Sequence, residues 1–427
     1  MGTVHLSANS VMKPETPASL ARYRWTLLAL LCGASFFNYF DRQTVSVLKT
    51  TLKGEFQIDD AGYALVVNAF TFCYAVAWMV SGYVVDKIGG RVALAVFVIV
   101  WSVATVLGGL ATTFWFLTAM RALLGLAEPG IHPVILRAAG MWTEEKGRSV
   151  FITIASMGGN IATIIAVPAI TYIALHMHWR VAFIAPGAIG VVIAFFWLRV
   201  YRERAVVEVP PTAASSLPAV LPAMTWGKLW RQPALWGIVL ARLVSDPVWY
   251  FCIFWMPGYL QESKGLTMEQ LAWVGWIPLL VGNLFGIGFA ALSDRIGASS
   301  GARGRKRLVT VFTMLSPACL LIPHAQSIPA TIVAFSFVAI LCMAWLNSLA
   351  PIISATFSVT NAASVWGIAG SFGASGAIVM NYVVGEASKW LDPSLLFIVF
   401  ATMHPLAAIL LNSLVRTPRL IVPIAGK

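Results

Sequence analysis

Apolar runs of about 18 to 28 residues recur along the chain, separated by short breaks that carry charge, glycine or proline. At about 1.5 Å per residue, such a run crosses a hydrocarbon core roughly 30 Å thick, so each is predicted to be a membrane-spanning helix. A β-barrel is excluded, because its strands of about ten residues would alternate in polarity. The runs lie near residues 25–46, 61–86, 91–112, 114–137, 149–174, 180–200, 232–259, 269–292, 306–323, 328–356, 362–387 and 393–415. Six precede a polar stretch broken by prolines (VVEVPPTAASSLPA), and six follow it. The expected fold is an all-α polytopic membrane protein with twelve transmembrane helices in two six-helix, pseudo-symmetric halves. Its parts would be a tail over 1–24, bundles over 25–200 and 232–415, a linker over 201–231 and a second tail over 416–427.

Composition supports this pattern. With 59% hydrophobic and 11% charged residues, a soluble domain of 427 residues would aggregate. The net charge of +12 falls in short clusters between the runs and forms no continuous patch, which argues for topology signals and against a nucleic-acid surface. Lys87 with Arg91, Arg137 with Lys146 and Arg148, Arg199 to Arg204, Arg295 with Arg303 to Arg307, and Arg416 with Arg419 all fall on one side. The opposite loops are poor in such residues apart from Lys49 and Lys53, so both termini are expected in the cytoplasm of a bacterial inner-membrane type of protein. The polar first twenty residues, with Pro14 and Pro17, read as a flexible tail rather than a signal peptide. The five cysteines lie in apolar stretches without CxxC spacing and read as packing residues; no metal or cofactor is indicated. Neither a nucleotide loop nor a nucleophile motif suggests an enzyme.

Candidate chemistry sits where charge interrupts the apolar runs. The first span contains Asn38-Tyr39-Phe40-Asp41-Arg42. A charge deep in a span costs roughly 2.5 to 3.5 kcal/mol on insertion scales, so such residues face a cavity or a partner. In the fourth span Arg121 and Glu128 are two helical turns apart and are expected on one face. Desolvation brings carboxyls towards the range where they exchange protons, making Asp41 and Glu128 candidate proton carriers; a permanent salt bridge that fastens helices is the alternative. Arg42, about 100° round the helix from Asp41, is assigned a fork-like contact with a substrate carboxylate. Arg121 is assigned to Glu128 as its internal partner.

Polar residues that could read substrate hydroxyls are Tyr39, Tyr74, Asn160 and Asn381, with Tyr250 or Trp249 as an aromatic face or lid. His132 is either a proton relay or a spacer at the break made by Pro129 and Pro133. Asp86, Arg91, Arg148 and Asp294 lie at the membrane edge and are expected to form the cytoplasmic ion pairs that hold the outward-facing state as a gate, with Asp86 against helix N-termini or a base in the neighbouring half. The sequence around Asp86 is echoed around Asp294, about half the chain away, which supports two related halves.

The loop GYVVDKIGGR, with its echo, resembles the loop signature of the major facilitator superfamily. NYFDR, RALLGLAEPGIHP, MWTEEKGRS, ARLVSDPVWYFCIFWMPGYL and SVWGIAGSFGASGAIVMNYVVGE resemble segments of its anion:cation symporter family, over residues 25 to 415. Within that family the likeness is to bacterial hexuronate and galactonate transporters, and more distantly to vesicular organic-anion carriers. The resemblance implies Asp41 and Glu128 as a proton-coupling pair and places Ser364 and Trp366 near the binding pocket. One departure stands out: family members often carry an acid before a Phe-Pro pair where this chain has Ser354-Ala355-Thr356-Phe357-Ser358.

The implied activity is import of a small organic anion, a sugar acid such as a hexuronate or aldonate, by proton symport with alternating access. Its partners would be the anion, protons and the lipid bilayer, with the chain acting as a monomer. The alternatives are a proton-independent anion exchanger or a drug/proton antiporter; two buried arginines favour an anion over a cation.

Overall fold

A computed structural model describes residues 17–143, 145–203, 224–357, 359–387 and 393–415. Every regular element among them is helical. Nine of these helices are long and apolar enough to cross a membrane. Helix α1 (Pro17–Val47), which carries Asp41 and Arg42, is not among the nine, nor are α4 (Phe114–Ala127) and α5 (Ile131–Trp142), which a turn divides into helices of 14 and 12 residues, each too short to span alone.

Helix α2 (Lys49–Phe56) is short and leads into α3 (Asp60–Gly109), which runs for 50 residues. That is about 75 Å of helix, twice the thickness of a hydrocarbon core. It breaks at Gly89, whose φ of 79° is open to glycine without a Cβ clash, so the predicted spans 61–86 and 91–112 are its two limbs. Helix α12 (Ile277–Thr313) breaks in the same way at Gly301, with φ of 59°. The two breaks follow Asp86 and Asp294, so the sequence echo is also a structural one.

The remaining helices are α6 (Glu145–His176), α7 (Val181–Val200), α8 (Trp226–Trp230), α9 (Pro233–Phe254), α10 (Met256–Glu262), α11 (Met268–Val274), α13 (Leu321–His324), α14 (Ile328–Thr356), α15 (Val359–Ala387) and α16 (Pro393–Leu414). Two boundaries differ from expectation. α1 begins inside the predicted tail, and α8 forms inside the predicted linker, where Leu229 finds a buried site that an extended segment could not fill. Residues 204–223 of the linker, 1–16 and 416–427 lie outside the described residues.

In lipid, apolar side chains gain little by leaving their solvent, so helices associate through close packing of small residues. Gly158 of α6 lies so near the Cys32 carbonyl of α1 that a Cβ would overlap that backbone oxygen. Outward-facing surfaces keep large apolar groups: Val192, Phe195 and Phe196 on α7, and Leu284, Phe285 and Ile287 on α12. α9 is 72% buried over its span, against 28% for Ser300–His324, so α9 is a central helix and the other peripheral.

Contacts between the elements before residue 203 and those after 224 concentrate at the end that carries Lys49. Glu262 of α10 pairs with Lys49 at 2.7 Å and with Lys53 at 2.9 Å, while both lysines also pair with Asp60 at 2.8 Å. Thr50 donates to Gln261, Ser46 to the Ile253 carbonyl and Tyr63 to the Phe254 carbonyl. Further along α3, Asn68 donates to the Ile378 carbonyl, and the Ala75 carbonyl accepts from Ser371.

The opposite end differs from expectation. Asp86 pairs with Arg137 at 3.6 Å, Arg91 donates to the Leu198 carbonyl, and Asp294 pairs with Arg305 at 2.9 Å. Each partner belongs to the same part of the chain, so among the described residues these charges do not bridge the two parts, which are fastened at the Lys49 end. The side chain of Arg148 lies outside the described residues.

Candidate functional site

The charged site is assembled where α1 meets the interruption between α4 and α5. Pro129 and Pro133 lack N–H donors, so the helix cannot continue its regular ladder there and passes through a 3₁₀ turn, Glu128–Gly130. The Glu128 carbonyl accepts a hydrogen bond from the Asn38 side chain at 3.1 Å, which joins the turn to α1. Arg42, one turn beyond Asn38, donates from Nε to Glu128 Oε2 at 2.5 Å and from Nη2 to Asn38 Oδ1 at 3.2 Å.

The pairing therefore differs from the sequence expectation: Arg42, and not Arg121, is the partner of Glu128. Helix α4 runs unbroken to Ala127, so Arg121 and Glu128 keep to one face, and α1 brings Arg42 to the carboxylate from across the helix contact. Arg121 donates from Nη1 to the Asp41 carbonyl at 3.2 Å, and its guanidinium lies 4.8 Å from the centre of the Phe70 ring. Asp41 Oδ2 accepts from Thr105 at 3.1 Å. Asp41 Oδ1, Glu128 Oε1, and Nε and Nη2 of Arg121 are buried with no hydrogen-bond partner among the described residues. Buried polar atoms in this condition are uncommon, and where they cluster they mark groups that exchange partners during function.

Aromatic faces wall the pair. The Arg42 guanidinium lies 4.4 Å from the Tyr74 ring centre and 4.7 Å from that of Tyr39, distances at which a ring face attracts a cation. The Arg42 side chain keeps 10% of its surface accessible, while Glu128 keeps none. An approaching anion thus meets the guanidinium first, with the carboxylate behind it. Trp78 stacks on His132 at 5.2 Å and meets Tyr74 edge-on at 5.1 Å. That contact gives His132 a packing role beside the site, and its Nε2 has no partner among the described residues.

Other expected residues are distributed differently. Tyr250 on α9 lies within electrostatic reach of Arg42, so it borders the same interior. Asn160 is exposed on α6, next to Gly159, which packs on the Tyr39 ring. Asn381 accepts from Trp255 at 2.9 Å and donates to Asn68 at 3.0 Å, so its amide fastens α15 to α3 and α9 instead of standing free for a substrate. Ser364 and Trp366 are partly exposed on α15. In the stretch without the expected acid, the Ser354 and Thr356 hydroxyls bond to carbonyls of their own helix.

A second buried pair escaped the sequence reading. On α9, Arg242 donates to Asp246 Oδ2 from Nε at 2.9 Å and from Nη2 at 2.6 Å. The signal was present: an acid four residues after a base in an apolar span is the same anomaly that singled out Asp41 and Arg42.

With this geometry in view, the chain was compared with known proteins. A family model described as the Major Facilitator Superfamily matches residues 31–379. The hexuronate transporter of Escherichia coli (strain K12) is 28% identical over 271 residues, 61% of this chain and 63% of that protein, so the match spans less than two thirds of that relative's length. The galacturonate transporter of Dickeya chrysanthemi is 26% identical, with 61% of this chain and 79% of that protein covered. The D-galactonate transporter of Escherichia coli O6:H1 is 27% identical, with 67% and 72% covered. In fold, the chain matches the crystal structure of a bacterial homolog to the human lysosomal transporter Spinster, in an inward-facing and unoccupied conformation. The TM-score is 0.70 at 19% identity, over 92% of this chain and 95% of that one.

Proposed function

The chain belongs to the Major Facilitator Superfamily, and from there we infer that it imports a small organic anion of the sugar-acid kind by proton symport. One observation carries this reading. A buried guanidinium, walled by Tyr39 and Tyr74, has a titratable carboxylate as its counter-ion and keeps a tenth of its side-chain surface accessible while that acid keeps none. Arg42 keeps its charge at any working pH, so some anion must face it. When Glu128 takes a proton, an incoming carboxylate replaces it on Arg42. Asp41 and Arg121 form the second titratable pair, held loosely through the Asp41 carbonyl. Proton and substrate then favour each other's binding by one coupling free energy, commonly ~1 to 3 kcal/mol.

The names of the relatives, which include hexuronate, galacturonate and D-galactonate transporters, support a sugar acid as cargo. The basic residues of the Asp86 end support a cytoplasmic side for it in a protein of the bacterial inner-membrane type. Two six-helix bundles on either side of the linker, working as a monomer, would rock about the site. The fastened Lys49 end supports an inward-open state, in which Asp86, Arg91 and Asp294 have no partner across the seam among the described residues.

The test is uptake into proteoliposomes under an inward proton gradient, offering galacturonate, glucuronate, galactonate and a neutral hexose. Concentrative uptake of an acid should vanish when the gradient is dissipated. Asp41→Asn and Glu128→Gln should exchange substrate but fail to concentrate it. Gradient-independent uptake with both variants like wild type would make the carboxylates structural and the protein an exchanger.

A further inference from the structure

Arg242 and Asp246 bond to each other and, through Asp246 Oδ1, to Ser245, all within α9. A salt bridge confined to one helix fastens no helix to another, and burying such a pair is a poor source of stability. Its geometry repeats that of the first site. The Arg242 side chain is 11% accessible and Asp246 2%, against 10% and 0% for Arg42 and Glu128, so in both pairs the guanidinium fronts the carboxylate. The fork of Arg242 is only partly used, because Nη1 is buried without a partner among the described residues. Its face lies 5.0 Å from the centre of the Trp366 ring. Gly370 and Gly373 bring the α15 backbone over the pair, and a Cβ at Gly373 would overlap the Asp246 carboxylate. Gly370 lies against both Arg242 Nη1 and the Trp78 ring, and Trp78 meets Tyr74, the ring that faces Arg42, so the two pairs border one interior.

We propose that the Arg242–Asp246 pair is a second anion subsite, which receives the far carboxylate of an organic acid that bears a carboxylate at each end. The inference rests on the organic-anion reading and narrows it, from acids with one carboxylate to diacids. A diacid brings two negative charges. Arg42 and Arg242 match both once Glu128 and Asp246 each hold a proton, taken from water on loading and returned to water on release. The unused Nη1 gives the second carboxylate a place beside Asp246, and Trp366 holds the guanidinium plane from behind.

Galactarate and galactonate test this, because they share chain length and hydroxyl configuration and differ only in a terminal carboxylate against a terminal alcohol. Their dissociation constants would be measured by calorimetry on the full-length protein in lipid nanodiscs. Wild type should bind galactarate at least about tenfold more tightly, the scale of one added charge-assisted contact. In the neutral double variant Arg242→Gln/Asp246→Asn, which strands no charge, the ratio of the two affinities should fall to about one. Trp366→Leu should reduce the ratio part of the way. Equal affinities in wild type, or a preference that survives the double variant, would overturn the second subsite while galactonate binding kept the organic-anion reading. Binding of neither acid would overturn both.

Discussion

Arg42 reaches Glu128 across 86 positions of sequence, from α1 to the turn between α4 and α5, whereas Arg242 reaches Asp246 within a single turn of α9. The chemistry is the same, a guanidinium in front of a buried carboxylate, but the first pair exists only once three elements have packed and the second needs one helix. The first therefore binds fold and function together. The second can change its ionisation without loosening a helix contact made by its own hydrogen bonds. Truncating a partner at the first site should lower stability as well as impair transport, and truncating one at the second should mainly alter what is bound.

The largest expected effect follows from removing one partner of the interhelical pair. Glu128→Ala leaves Arg42 buried without its counter-ion, and such losses amount to about 3 to 5 kcal/mol. Thermal unfolding in nanodiscs should show a large drop in midpoint, and Arg42→Met/Glu128→Met should recover most of it, because no charge is then stranded. A Glu128→Ala protein as stable as wild type would show that α1 and the turn are held by other contacts, and the contrast between the two pairs would fail.

The contrast sharpens through the glycines that let helices close on each region. A methyl at Gly158 meets the Cys32 carbonyl, a backbone atom that cannot rotate away, whereas a methyl at Gly373 meets the Asp246 side chain. Overpacking generally costs about 1 to 3 kcal/mol. Gly158→Ala should fall at the upper end and Gly373→Ala at the lower, measured by denaturant or thermal unfolding. The reverse order would show that the α9 pair depends on α15 as much as the first pair depends on α6.

The same distinction between local and assembled structure explains what could be read from the sequence. Span boundaries were legible because apolar length is a local property: α14 covers 328–356 and α16 begins at 393, as expected. The site residues of α1 were legible because a charge in an apolar run is an anomaly wherever it later packs. Their pairing was not legible. Arg121 and Glu128 do share a face of the unbroken α4, but nothing in that segment names Arg42, which α1 brings to the carboxylate. Asn381 was read as free because nothing in its own segment names Asn68 or Trp255, its partners from distant parts of the chain. Arg242–Asp246 was legible on local grounds and was passed over for the anomalies nearer the start of the chain.

The smallest effect is expected where the charges meet water. Glu262 ties Lys49 and Lys53 across the seam, but its side chain is 30% accessible and that of Lys53 24%, so screening limits each exposed contact to about 1 kcal/mol or less. Glu262→Gln should shift the balance towards opening at the Lys49 end by about fivefold, an effect that salt reduces. Nitroxides at Gly54→Cys and Ser263→Cys would report it as a longer distance in a larger fraction of molecules. The pH dependence has a definite sign. Burial works against the Lys53 ammonium, but hydrogen bonds and attraction from Asp60 and Glu262 outweigh it and raise its pKa above the ordinary 10.5. Its contribution to closure is therefore fully present below 10.5 and is lost only as pH rises through the raised value. The nitroxide distance in wild type should not respond to Lys53 anywhere in the neutral range, so Lys53→Met should lower the closed fraction by the same amount at pH 6 and pH 9. A Lys53 contribution that disappeared by pH 9 would mean that the ammonium is not held by those carboxylates. The closed end would then be secured by Lys49, by Thr50 on Gln261 and by the backbone contacts of Ser46 and Tyr63.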